Sequence, residues 1–133
     1  MENRRQTYRH LFDPQEVLRA ELYRPGRPTL ACEVIDLSLG GMRARLQKLV
    51  DPLGVGDSLV TRLLGRDAPA PVTLNLSVPS RVVFLTQYGK EWHCGLRFLP
   101  SADVRINSQV EQALSRFLLA EQRRRKNAAN QQR

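Results

Sequence analysis

The period-two alternation of apolar and polar residues, repeated between turn signals, limits most sharply what this chain can become. Between residues 17 and 23, Leu18, Ala20 and Leu22 alternate with Arg19 and Glu21. Arg24-Pro25-Gly26-Arg27 then breaks the run, and a longer strand is expected over residues 29–38. Its apolar set changes partway: Leu30, Cys32 and Val34 give way to Ile35, Leu37 and Leu39. A change of face in mid-strand signals a bulge, or a strand covered on both sides. Past Gly40 and Gly41, Met42, Ala44 and Leu46 alternate with Arg43 and Arg45. Further strands are expected over residues 58–64, 72–78, 81–87 and 91–98, the last two joined by a hairpin turn at Tyr88-Gly89-Lys90. Phe84, Trp92 and Phe98 read as core. Short strands in such number suggest a small antiparallel barrel, because closure also removes exposed edges.

One helix is expected, starting near Ser108, where Ser108-Gln109-Val110-Glu111 has the spacing of a capping box. Val110, Leu114, Phe117 and Leu118, flanked by Ala113 and Glu121, fall on one helical face that must bury against the sheet. The chain therefore divides into an arm over residues 1–12, a barrel with its helix over residues 13–120, and a basic tail over residues 121–133 that is expected to fray.

The formal charge is +8, and half of it sits in the tail, where Arg123, Arg124, Arg125, Lys126 and Arg133 face Glu121. The remaining body is mildly basic, which argues against a broad nucleic-acid surface. No apolar run reaches membrane-spanning length and the N-terminus leads into no signal-peptide core, so a cytoplasmic protein is expected. Cys32 and Cys94 lie in apolar runs and read as buried thiols. His93 and Cys94 are strand neighbours that point opposite ways, which makes a metal site awkward. No nucleophile elbow or acid–base pair is present, so neither an enzyme nor a cofactor is expected.

Two motifs carry chemistry. Arg5-x-x-x-Arg9, preceded by Arg4, places two guanidiniums on one side of the arm whether it is helical or extended. Each offers paired donors to phosphate oxygens and a flat face for a base. The alternative is a solvated basic N-terminus. Asp36-x-Ser38-x-x-Gly41 ends the long strand. Alternation aims Asp36 and Ser38 out of one face, where a carboxylate can accept from the N1–H and N2–H donors of guanine and a hydroxyl can take either role. Gly40 and Gly41 are expected to turn with positive φ and to let a flat ligand approach the backbone. The alternative is a strand end whose Asp and Ser bond to nearby backbone amides. Arg43, Arg45, Arg81 and Arg97 read as ordinary surface arginines of strands.

The arginine arm, the stretch Ile35-Asp36-Leu37-Ser38-Leu39-Gly40-Gly41-Met42-Arg43, and the close Cys94-Gly95-Leu96-Arg97-Phe98 before a helix together resemble the PilZ domain in order and spacing. The resemblance covers roughly residues 4–120. It implies a mainly β fold: a six-stranded antiparallel barrel of the split-barrel kind with a C-terminal α-helix. It also implies a bacterial receptor for cyclic di-GMP (c-di-GMP) with no catalysis of its own. In that resemblance Arg5 and Arg9 clasp phosphate and guanine, Asp36 and Ser38 hold a guanine, and Gly40 and Gly41 shape the turn. An arginine at the position of Arg4 goes, in similar proteins, with an intercalated ligand dimer. The arm is expected to close over the barrel on binding and to signal in trans to a partner protein. Two alternatives stand beside this: a small basic barrel binding RNA or DNA, and a degenerate PilZ protein–protein module.

Overall fold

The computed structural model describes residues 9–12, 17–66 and 74–131. The described residues form seven strands and a helix: β1 (His10–Leu11), β2 (Leu18–Tyr23), β3 (Leu30–Leu37), β4 (Gly41–Leu46), β5 (Ser58–Arg66), β6 (Leu76–Tyr88), β7 (Glu91–Phe98) and α1 (Val104–Gln131). Neighbours run β3-β2-β5-β6-β7-β4, and a β3–β4 pairing closes the ring into a six-stranded antiparallel barrel. Strand β2 pairs with β3 only as far as Glu33. Beyond it β1 takes the same edge, with His10 opposite Leu37 and Leu11 opposite Asp36.

The inward residues of the alternating runs fill the barrel. Leu18, Leu22, Leu30, Leu37, Leu46, Leu63 and Val82 are almost completely buried. Burying each such side chain stabilises the fold by roughly 1.5–3 kcal/mol before entropy is counted. The change of face in β3 is a bulge: the register against β4 shifts between Val34 and Asp36. Val34 and Leu37 can therefore both point inward while Asp36 turns out.

Four local expectations change. Residues 81–87 do not form a strand of their own, because β6 runs unbroken through Pro79 and Ser80. The carbonyl of Pro79 accepts from Leu99 N at 2.7 Å. Its nitrogen, on the same side of the strand, faces past the end of β7, so the missing N–H breaks no ladder bond. Residues 72 and 73, assigned by pattern to a strand, lie outside the described residues.

The helix starts at Val104 rather than near Ser108. Asp103 caps it by accepting from Arg105 N at 2.9 Å. Upstream, Ser101 N donates to Asn107 Oδ1 at 2.6 Å and Asn107 Nδ2 returns to Ser101 O at 2.8 Å. The helix also continues through Arg123–Lys126 to Gln131, inside what was read as a fraying tail. Arg, Lys, Gln and Ala all have high helix propensity. Leu114, Phe117 and Leu118 are buried on α1 as its apolar face requires. Part of the expected arm is likewise structured, since His10 and Leu11 form β1.

Candidate functional site

Asp36 is the centre of the site. It lies on β3 between β1 and β4, opposite Leu11 on one side and Arg43 on the other. Each neighbour delivers one guanidinium. Arg9, two residues before Leu11 and on the same face, donates Nη1 to Asp36 Oδ1 at 2.5 Å. Arg43 Nη2 forms an ion pair with Asp36 Oδ2 at 2.9 Å. The Asp36 side chain is only 6% exposed, whereas those of Arg9 and Arg43 are 54% and 44% exposed. A sunken carboxylate thus has both oxygens engaged by cations standing in solvent.

Beside this trio opens a cleft of about 430 Å³ lined by Arg9, Asp36, Arg43, Val83, Phe84 and Gly95, with Met42 and Leu96 at its floor. Phe84 was expected in the core. It is instead 38% exposed, because the register of β6 against β7 shifts between Val82 and Phe84. That bulge sends Val82 inward and leaves Val83 and Phe84 on the outer face. The Phe84 ring lies across Gly95, where a methyl group would collide with it. Glycine on β7 therefore makes room for an aromatic wall of the cleft.

Ser38 and the glycines do different work from that expected of the motif. Ser38 is buried; its backbone N donates to Gly41 O at 2.9 Å and its Oγ to the same carbonyl at 3.3 Å. Gly40 N donates back to Ser38 Oγ at 3.3 Å. This is turn chemistry, and Ser38 does not line the cleft. Neither Gly40 nor Gly41 has positive φ; among the described glycines that conformation belongs to Gly26, Gly56 and Gly89. Gly41 is required because a Cβ there would collide with the Leu96 carbonyl of β7, so the constraint is backbone approach within the barrel. Gly40 faces open space.

The structure therefore brings Arg9 and Asp36 together, and sets Ser38, Gly40 and Gly41 in the turn behind them. Arg4 and Arg5 lie outside the described residues. Arg43 and Phe84 join the site. The signal for Arg43 was its cross-strand position opposite Asp36, which becomes legible only with the bulge register in hand. Elsewhere on the barrel a groove of about 590 Å³ mixes Arg19, Arg45 and Lys48 with Glu21 and Glu33, so its charges largely offset one another. Among the described residues no group of three His, Cys, Asp or Glu side chains could hold a metal ion. Burial raises the pKa of both free cysteines, that of Cys94 to about 12, and Cys32 is raised further still.

The PilZ domain family model matches residues 3–119, and the chain belongs to that family. Its fold is similar to that of YcgR from Escherichia coli in complex with c-di-GMP, at 20% identity and a TM-score of 0.72 over 98% of this chain and 51% of that one. The PilZ domain of YcgR with c-di-GMP aligns at 19% identity and a TM-score of 0.67, over 96% of this chain and 98% of that one. The MrkH–c-di-GMP complex of K. pneumonia aligns at 13% identity and a TM-score of 0.62, over 92% of this chain and 56% of that one. The chain spans about half the length of the longer YcgR and MrkH chains. At these identities the likeness carries the fold. No curated protein matches the chain in sequence.

Proposed function

We propose that the chain is a c-di-GMP receptor whose ligand enters the cleft between Asp36, Arg9, Arg43 and Phe84. The observation that carries this is the sunken Asp36 carboxylate under two exposed guanidiniums, in a chain of the PilZ family whose structural neighbours include c-di-GMP complexes. Guanine presents N1–H and N2–H₂ along one edge, and an ionised carboxylate is the natural acceptor for that pair. Both oxygens of Asp36 are already held by arginine, so binding is an exchange. The guanine edge takes the carboxylate, and the displaced guanidinium turns to a phosphate oxygen or to the Hoogsteen edge of the base. No buried charge is left alone in the exchange, because the dianionic ligand brings its own partners for the arginines. Phe84 offers its ring as an apolar wall for the base.

In this reading Arg5 supplies a further fork from the arm, and Arg4 favours a stacked ligand pair. Ser38, Gly40 and Gly41 act by fixing the turn that presents Asp36. The reading calls for no chemical step, and among the described residues the cleft lining holds a single carboxylate and no nucleophile. No described helix is long and apolar enough to cross a membrane. A cytoplasmic receptor read in trans by a partner protein is part of the proposal, and a pull-down with and without ligand tests it.

Calorimetric titration with c-di-GMP is the direct test. Saturable binding is expected, reduced at least tenfold in Arg9→Ala and in Asp36→Ala. Two ligands per chain support the role given to Arg4, and one counts against it. Wild-type affinity in both variants overturns the site.

A further inference from the structure

Four consecutive residues around β1 serve two parts of the molecule at once. Arg9 and Leu11 face outward, while His10 and Phe12 are buried. The outward side carries Arg9 to Asp36. The inward side docks on α1. The His10 ring meets Phe12 edge-on at 4.6 Å, and Phe12 lies 6.4 Å from the Phe117 ring on the helix. His10 Nε2 stands 4.0 Å from Glu121 Oε2, with His10 fully buried and Glu121 2% exposed. The same Glu121 oxygen receives Arg124 Nε at 3.2 Å and Arg124 Nη2 at 2.9 Å. One turn along, Arg125 Nη2 donates to the backbone carbonyl of Leu11 at 2.5 Å. A carboxylate this deep is tolerated when paired and hydrogen-bonded, so the cluster favours one discrete docking of strand on helix.

We infer that Glu121 and Arg125 are positioning residues for ligand capture: by pinning β1 from its inner side they hold Arg9 over Asp36. The inference rests on the c-di-GMP reading of the cleft. Neither residue lines that cleft, and Arg125 grips main chain, so this contact acts on the strand itself. Coupling of this kind is reciprocal. Whatever factor the helix contacts add to c-di-GMP affinity, c-di-GMP must add to the docking of α1 on β1.

The test uses the full chain, titrated with c-di-GMP in parallel with amide exchange across residues 114–127. Arg125→Ala is expected to lower affinity about five- to tenfold, while the melting temperature stays within about 2 °C of the parent. Arg125→Lys recovers part of the loss, because an ammonium can still reach the Leu11 carbonyl. In the parent protein, c-di-GMP slows exchange in residues 117–127, and in Arg125→Ala that slowing shrinks. Glu121→Gln, which keeps the side-chain shape, is expected to act in the same direction; should it fail to fold, Arg125→Ala decides alone. Wild-type affinity in Arg125→Ala, with helix exchange indifferent to ligand, overturns the inference. If Asp36→Ala has lost binding in that same series, the inference falls while the cleft stands. If Asp36→Ala binds like the parent, both fall.

Discussion

Asp36 and Arg9 meet in one ion pair, yet the elements that carry them are held in unlike ways. Asp36 sits on an eight-residue strand paired along both edges and followed by a turn that Ser38 ties twice. Arg9 precedes a two-residue strand that pairs with the end of β3 and is gripped from a helix more than a hundred residues away in sequence. The Asp36 acceptor and its Arg43 partner are built into the barrel, while the Arg9 donor is brought to it. The difference teaches where affinity comes from: a preformed acceptor spares the ligand an ordering cost, and a delivered donor leaves that cost open to adjustment from elsewhere.

The sharpest way to break the comparison is to strip the helix of its anchor. Phe117→Ala is expected to cost about 3–5 kcal/mol in urea unfolding, as a buried aromatic truncation does. A loss below about 1 kcal/mol would mean the helix is not part of the core. Next comes the acceptor itself. Asp36→Ala is expected to weaken c-di-GMP binding about 30- to 100-fold, the value of a charge-assisted bond lost from the ligand. Stability should barely move, since the guanidiniums it leaves are solvated.

The hairpin then offers a contrast within one turn. Gly41→Ala is expected to destabilise by about 1–3 kcal/mol, because strand backbones must separate. Gly40→Ala should stay within about 0.5 kcal/mol. Equal effects would refute the account of the two glycines.

Proton linkage probes the barrel half alone. The folded thiols of Cys32 and Cys94 have pKa values raised above 9.0 by burial, so unfolding favours their ionisation. The stability they contribute is intact below about pH 9 and is lost as pH rises towards 12, at roughly 1.4 kcal/mol per pH unit for each thiol. Replacing both by Ser or Ala should flatten that part of the pH–stability curve. The smallest effect is expected at Arg43→Ala: an affinity loss of about three- to fivefold, near the upper end for a solvated ion pair. A loss as large as that of Asp36→Ala would make Arg43 a principal ligand contact.

Much of this was legible in the alternation. The range of β7 follows from Trp92, Cys94, Leu96 and Phe98, and the bulge in β3 was visible as a change of apolar face. What escaped had physical reasons. The bulge at Val83 lies in the run Val82-Val83-Phe84-Leu85, where every residue is apolar and no alternation marks the shift, so Phe84 was placed inside. The helix start was misplaced because Asp103 caps a first turn, Val104-Arg105-Ile106-Asn107, that carries no amphipathic stripe. Strand β1 is too short to show any period. The pairing of Arg43 with Asp36 needed a register that only the closed barrel fixes. The motifs singled out Arg9 and Asp36 separately, and their mutual ion pair was not legible in the spacing.

The length of α1 has a mechanical consequence. From Arg125, whose guanidinium grips the Leu11 carbonyl, the helix continues for six residues to Gln131, about 9 Å at 1.5 Å per residue. A stiff rod pivoting at its inner end magnifies small rotations: a tilt of about 10° at Arg125 would carry the far tip about 1.6 Å. Under the coupling inferred above, a partner gripping the outer turn, with exposed Lys126, would sense the state of the cleft as a displacement.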